Sequence, residues 1–161
     1  MDMVSIVVTA QGDAQHLTRT LESLLQLRSV PFEILVADRL DQGSLCTTVA
    51  RDPRFARRVR YLALPPDTKP GALLNAAAQL ARGAYLTFLE AGTTLSPMWL
   101  SVAVNTLEHS DAQWCYTGAG IRGTGEALPP QDWPDFKTEG NLFPDLIAGW
   151  GLSPQSVVLT R

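Results

Sequence analysis

KPGALLNAAAQLARGAYLTFLEAG, running from Lys69 to Gly92, writes a helix, a turn and a strand in one short stretch. Pro70 suits the first helical position, where its missing N–H costs nothing, and GALLNAAAQLA is rich in good helix formers. Arg82 brings a cation to the last turn, and Gly83 is read as a glycine free to adopt a left-handed cap. Tyr85 to Leu89 (YLTFL) then reads as a strand.

The same grammar holds upstream. Val4 to Thr9 (VSIVVT) is a continuous apolar, β-branched run, as expected of a strand buried on both faces. From Asp13 the period changes, and Leu17, Leu21, Leu24 and Leu25 recur at helical spacing with Arg19, Glu22 and Gln26 outward. Pro31 stops that helix, and Glu33 to Ala37 (EILVA) gives a second strand. A polar loop from Asp38 to Ser44 leads to a short helix around Leu45 to Arg51, and Val59 to Leu64 is a third strand closed by Pro65 and Pro66. Downstream, Ser96-Pro97 opens a helix to about His109. Four strand–helix alternations, joined by connections too long for hairpins, predict an α/β, three-layer Rossmann-like domain with a mainly parallel central sheet.

Beyond residue 110 the rhythm breaks. Trp114 to Thr117 and Ser156 to Thr160 (SVVLT) read as strands, whereas 118–139 is rich in Gly, Pro and polar residues. One domain is expected over 1–161, with βα units in 1–110 and a loop-rich segment in 111–161.

Composition narrows the function. Of 161 residues, 45% are hydrophobic and 18% charged, which supports a packed core and excludes wholesale disorder. A net charge of −3 argues against a dedicated nucleic-acid binder. Arg51, Arg54, Arg57, Arg58 and Arg60 nevertheless cluster, and the simpler reading is a solvated face around a helix end. Cys46 and Cys115 sit in no CxxC and are expected as free thiols in a reducing compartment. MDMVSIVVTAQGD lacks a cationic n-region, and no stretch reaches the roughly 20 apolar residues of a membrane span. A cytoplasmic domain is expected.

One motif is a decoy. Gly118-Ala119-Gly120-Ile121-Arg122-Gly123 matches G-x-G-x-x-G, but Pro129 and Pro130 forbid the helix that a dinucleotide site needs at its third glycine. His16 and His109 lie in amphipathic patterns and read as surface residues. The informative positions lie just past the strand ends, where open parallel sheets collect ligands. These are Thr9, Ala10 and Gln11 after strand one, Asp38 after strand two, Lys69 to Asn75 at the third helix, and Glu90-Ala91-Gly92 after strand four. Two acids at the ends of neighbouring strands, with a cation near a helix start, suit a nucleotide. Equally, Asp38 caps a turn and Glu90 is a solvated loop acid. Spacing alone leaves both readings open.

VSIVV from Val4, LESLL from Leu21, PFEILVAD from Pro31, the Lys69–Gly92 stretch and LSPMWL from Leu95 together resemble the family 2 glycosyltransferases of the GT-A fold. Phe143 to Thr160 matches more loosely. The resemblance implies a domain that binds a nucleoside-diphosphate sugar, UDP being the expected nucleotide, and passes the sugar to an acceptor with inversion. The acceptor is not specified. Asp38 matches the first Asp of a VDDGS-like loop that contacts the base, and Arg39 stands where the second Asp is usual. Glu90-Ala91-Gly92 matches the D-x-D whose carboxylates hold ribose and a divalent metal. Thr9-Ala10-Gln11-Gly12 replaces Pro-Thr-Tyr-Asn.

The nucleotide-sugar-binding set is therefore Thr9, Ala10, Gln11, Asp38, Lys69, Asn75, Glu90 and Gly92. Glu90 is the sole metal ligand among them, so dependence on Mn or Mg is expected to be weak. The family's acceptor-activating acid follows the strand that SVVLT resembles. The resemblance thus implies sequence beyond Arg161, and no catalytic base is assigned among Asp132, Asp135, Glu139 and Asp145. The joint departures also leave a catalytically inactive binding or interaction domain as the alternative. A nucleotidyltransferase is disfavoured, because no glycine-rich phosphate loop follows strand one.

Overall fold

A computed structural model describes residues 2–10, 14–39, 51–117, 140 and 154–161. Six strands form one sheet: β1 (Val4–Ala10), β2 (Phe32–Arg39), β3 (Val59–Leu64), β4 (Tyr85–Glu90), β5 (Trp114–Tyr116) and β6 (Val157–Thr160). Their order is β3-β2-β1-β4-β6-β5. β3, β2, β1 and β4 run parallel, while β6 is antiparallel to both β4 and β5. The predicted mainly parallel α/β sheet is therefore present, with its one reversed strand at β6. The short helix expected around Leu45 and the glycine motif from Gly118 lie outside the described residues.

Two layers of helix cover the sheet, as the apolar spacing demands. α1 (Ala14–Leu24) buries Leu17, Thr20, Leu21 and Leu24, and α3 (Trp99–Glu108) buries Leu100, Ala103, Val104 and Leu107. These pack with Val4, Ile6, Val8, Ile34 and Val36 in one core cluster. α2 (Pro70–Leu80) covers the opposite face, where Leu73 and Ala77 meet Val7, Leu35, Ala37 and Leu86. Alternate residues of β1 and β2 thus feed opposite cores, as the two-residue period of a strand requires. All seven residues of β1 are buried.

The amino-terminal edge is closed by a polar knot. Ser5 Oγ donates to Glu33 Oε1 at 2.6 Å and accepts from the Gly83 N–H at 2.9 Å. The Arg82 N–H donates to the same Glu33 oxygen at 2.6 Å, and Arg60 Nη1 donates to Glu33 Oε2 at 2.7 Å. This knot ties the exit of α2 to the starts of β1 and β2.

Gly83 does not serve as a left-handed cap: the described glycines with positive φ are Gly92 and Gly140. It is glycine because the chain passes too close for a side chain. A Cβ there would lie 2.5 Å from Met3 O and 2.6 Å from Ser5 N, both backbone atoms. Gly83→Ala should therefore destabilise the fold by about 1–3 kcal/mol, the range for forced overpacking, measurable by denaturant unfolding. An unchanged midpoint would mean that this crossing is looser than drawn.

The knot also predicts acid sensitivity. Burial pushes the Glu33 carboxyl up, but hydrogen bonds from Ser5, the Arg82 N–H and Arg60 together hold it below its usual value. A depressed folded-state pKa gives stability that is present above the unfolded value and lost as pH falls through the folded one. Between neutrality and about pH 3, the melting temperature of Glu33→Gln should fall less than that of the parent. Parallel decline in the two proteins would reject Glu33 as an acid trigger.

Candidate functional site

At the carboxyl edge, registers fix where the sequence-selected residues fall. Ala10 of β1 stands opposite Asp38 of β2, and Thr9 opposite Glu90 of β4. The two acids therefore share one edge, but β1 lies between their strands, so they are not on adjacent strands. This edge also contains the switch in strand order between β1 and β4, where ligand crevices form in such sheets.

The acids differ in environment. Asp38, which the sequence pattern puts at the start of a polar loop, is the last but one residue of β2 and is buried, at 5% accessibility. Its Oδ2 atom has no hydrogen-bond partner among the described residues. A buried carboxylate oxygen left unpaired costs about 1–3 kcal/mol, which a donor from a ligand would recover. Glu90 is exposed.

They also leave opposite faces. Asp38 has the parity of Ile34 and Val36, which pack under α1 and α3, whereas Glu90 has the parity of Leu86, in the core under α2. On the α2 face a cavity of about 130 Å³ is lined by Thr9, Arg39, Leu73, Phe88, Glu90 and Gln155, among others. Its size suits a ring or a phosphoryl group rather than a whole nucleotide sugar, since complete ligand sites run to about 300–1,000 Å³. Thr9 is buried and its Oγ1 donates to Leu89 O at 3.3 Å. Gln155 is held by Thr93, whose Oγ1 donates to Gln155 Oε1 at 2.9 Å.

Arg39 and Gln155 were not among the sequence-selected residues. Arg39 was legible: as the last residue of β2 it follows Ala37 by two and so shares its face. Gln155 carried no signal, because it reaches the site only through the return of the chain to β6. Lys69 is exposed at the start of α2, with no side-chain cap, and Pro70 of that helix lines the cavity. Asn75 is exposed on α2 and does not line the cavity. Gln11, Asp132, Asp135, Glu139 and Asp145 lie outside the described residues.

The loop after β4 shows how its one acid is placed. Ala91 N–H donates to Thr9 O at 3.0 Å and Gly92 N–H to Thr20 Oγ1 at 2.8 Å, pulling the loop against α1. Gly92 has φ of 103°. Glu90 is therefore the one carboxylate of the Glu90-Ala91-Gly92 triplet, and no group of three His, Cys, Asp or Glu side chains gathers for a metal among the described residues. This donor set does not fit a divalent ion held by a pair of carboxylates.

The sheet covered on both faces defines a doubly wound α/β domain, and comparison with known proteins narrows it. The family model for Glycosyl transferase family 2 matches residues 5–150, and the chain belongs to this family. Succinoglycan biosynthesis protein ExoO of Rhizobium meliloti (strain 1021) is 31% identical over 152 residues, covering 87% of this chain and 43% of that protein. The chain thus spans less than half the length of this curated relative. S. aureus TarS 1-349 superposes with a TM-score of 0.76 at 20% identity, over 98% of this chain and 46% of that one. Its complex with UDP-GlcNAc gives a TM-score of 0.75 at 20% identity, over 96% of this chain and 44% of that one. Mannosyltransferase PcManGT from Pyrobaculum calidifontis, in complex with GDP-Man and Mn2+, gives 0.72 at 15% identity, over 99% and 45%. The fold is the GT-A fold shared by these structures.

A carboxyl oxygen buried without a partner should weigh on the free protein. Asp38→Asn removes the charge while keeping the shape, so the free chain should unfold at an equal or higher denaturant midpoint, with a gain of up to about 1 kcal/mol. A loss of stability would reveal that the carboxylate has a structural partner.

Proposed function

We propose that this chain is the nucleotide-sugar-binding part of an inverting glycosyltransferase. The observation that carries the reading is the buried Asp38 carboxylate, with one oxygen unpartnered, at the switch-point edge of a family 2 domain. Such an oxygen is an acceptor for a base N–H, as in the imide of uracil. The donor is a nucleoside-diphosphate sugar, with UDP the first nucleotide to test. TarS and PcManGT support the class of ligand through their complexes with UDP-GlcNAc and GDP-Man.

Thr9, Ala10, Gln11, Lys69, Asn75, Glu90 and Gly92 complete the proposed nucleotide-sugar contacts, and Arg39 is added to them. In the transfer, the acceptor hydroxyl attacks the anomeric carbon from the side opposite the diphosphate, which departs with the bonding electron pair. The hydroxyl proton passes to a base not assigned in this chain. Charge growing on the leaving diphosphate needs donors aimed at it. Arg39, Lys69 and the uncapped start of α2 are suitably placed at the same edge. The exposed Glu90 suits a ribose hydroxyl. A cytoplasmic location is part of the proposal and agrees with the free, half-buried thiol of Cys115. No described helix is long and apolar enough to cross a membrane.

Calorimetric titration with UDP tests the reading. Asp38→Ala should weaken binding by about 1.5–3 kcal/mol, the range for a hydrogen bond involving a charged group. Mn²⁺ or Mg²⁺ should strengthen it less than about tenfold, or roughly 1.4 kcal/mol of coupling. Unchanged affinity in the variant removes Asp38 from the base site, and strong metal dependence would place ligands outside the Glu90-Ala91-Gly92 triplet.

A further inference from the structure

The opposite, amino-terminal edge of the sheet carries a second and larger cavity, about 570 Å³ in volume. Buried Val30 and Ile34 contribute apolar wall, and four arginines line it: Arg57, Arg58, Arg60 and Arg82. Its volume lies within the range of about 300–1,000 Å³ typical of small-molecule sites. β2 runs its eight residues from this edge to the candidate nucleotide site, which separates the two by roughly 20 Å at strand rise.

Arg51, Arg54, Arg57 and Arg58 are exposed, as expected of a solvated face, but the arginines between 51 and 60 differ in their partners. Arg54 is consumed by surface ion pairs with Asp52 and Glu22, both at 2.6 Å, and lies over the Phe55 ring. Arg60 is fixed by Glu33 and by Leu80 O at 3.2 Å. Arg57 and Arg58 line the cavity, as does Arg82 just past the far end of α2, and all three are exposed. None of these three has an acidic partner among the described residues. The one acid of the cavity, Glu33, is already committed to Ser5, the Arg82 N–H and Arg60.

Three exposed arginines lining one concavity, with no acidic partner of their own among the described residues, raise the local concentration of anions in a chain whose net charge is negative. The guanidinium fork matches phosphoryl oxygens better than it matches a spherical anion. The apolar wall accommodates the carbon skeleton that carries such a group. We propose that this cavity is a second ligand site, which binds a phosphate-bearing molecule through Arg57, Arg58 and Arg82. A soluble phosphoryl compound and a phospholipid headgroup present the same chemistry to it.

Inorganic phosphate is the first probe, titrated at millimolar concentrations by calorimetry into the full chain. The triple variant Arg57→Ala/Arg58→Ala/Arg82→Ala should weaken the Kd at least about tenfold with an unchanged circular-dichroism melt. Arg19→Ala/Arg161→Ala, which removes two exposed cations outside the cavity, should leave it unchanged. Absence of phosphate binding, equal weakening in both variants, or loss of binding in Arg39→Ala instead would overturn the site. Sedimentation with phosphatidylcholine vesicles containing phosphatidic acid identifies the source. Binding that requires the same three arginines and is displaced by phosphate points to a headgroup. Phosphate binding without sedimentation points to a soluble phosphoryl compound.

Discussion

β1 is closed on all four sides, and the rest of the domain is arranged around that constraint. Parallel strands pair with both of its edges, and helices cover both of its faces. Each fully buried Val or Ile contributes about 1.5–3 kcal/mol, and five of the seven residues in this strand are Val, Ile or Ala. A strand so enclosed meets solvent only at its two ends, so chemistry must be built there. At the amino end the knot of Ser5, Glu33 and the Arg82–Gly83 backbone borders the arginine-lined cavity, and at the carboxyl end Thr9 and Ala10 reach the candidate nucleotide edge.

Most of this was legible because burial is what the apolar spacing encodes. The continuous run of Val4 to Thr9 announces two covered faces, and the leucines from Leu17 to Leu24 announce one. The direction of β6 was not legible. Val157 to Thr160 has the same apolar character whichever way it pairs, and its orientation depends on where the preceding connection returns. Gly83 shows a different limit. The sequence displays a glycine, but glycine permits both positive φ and close approach, and only the neighbouring backbone of Met3 and Ser5 says which was needed.

The candidate site was legible by position and less so by environment. Strand ends identified Thr9, Asp38 and Glu90, since apolar runs stop where the edge begins. Accessibility could not follow from the same argument. Asp38 looked like a loop acid because polar residues follow it, yet β2 continues through Arg39 and keeps that carboxyl inside. Counting alternate residues does place Arg39 with Ala37 and apart from Asp38. Which helix covers each face, and hence which cavity Arg39 lines, follows only from the crossover geometry of α1 and α2.

The departure at position 92 lies deeper than a missing side chain. In an unbroken strand, residues 90 and 92 would share a face, and two acids there would converge. Here the chain turns after Glu90, with the Gly92 N–H bonded to Thr20 of α1. A Cβ on Gly92 would lie 3.9 Å from the Cβ, Cγ and Cδ2 atoms of His16, on the α1 side, whereas Glu90 lines the cavity on the α2 side. The φ of 103° at Gly92 also places any L side chain in a region costing about 1–2 kcal/mol. A side chain at this position would therefore start on the His16 side rather than beside Glu90. The turn of the backbone after β4, as well as the residue at position 92, keeps a second side chain in this loop from standing beside Glu90.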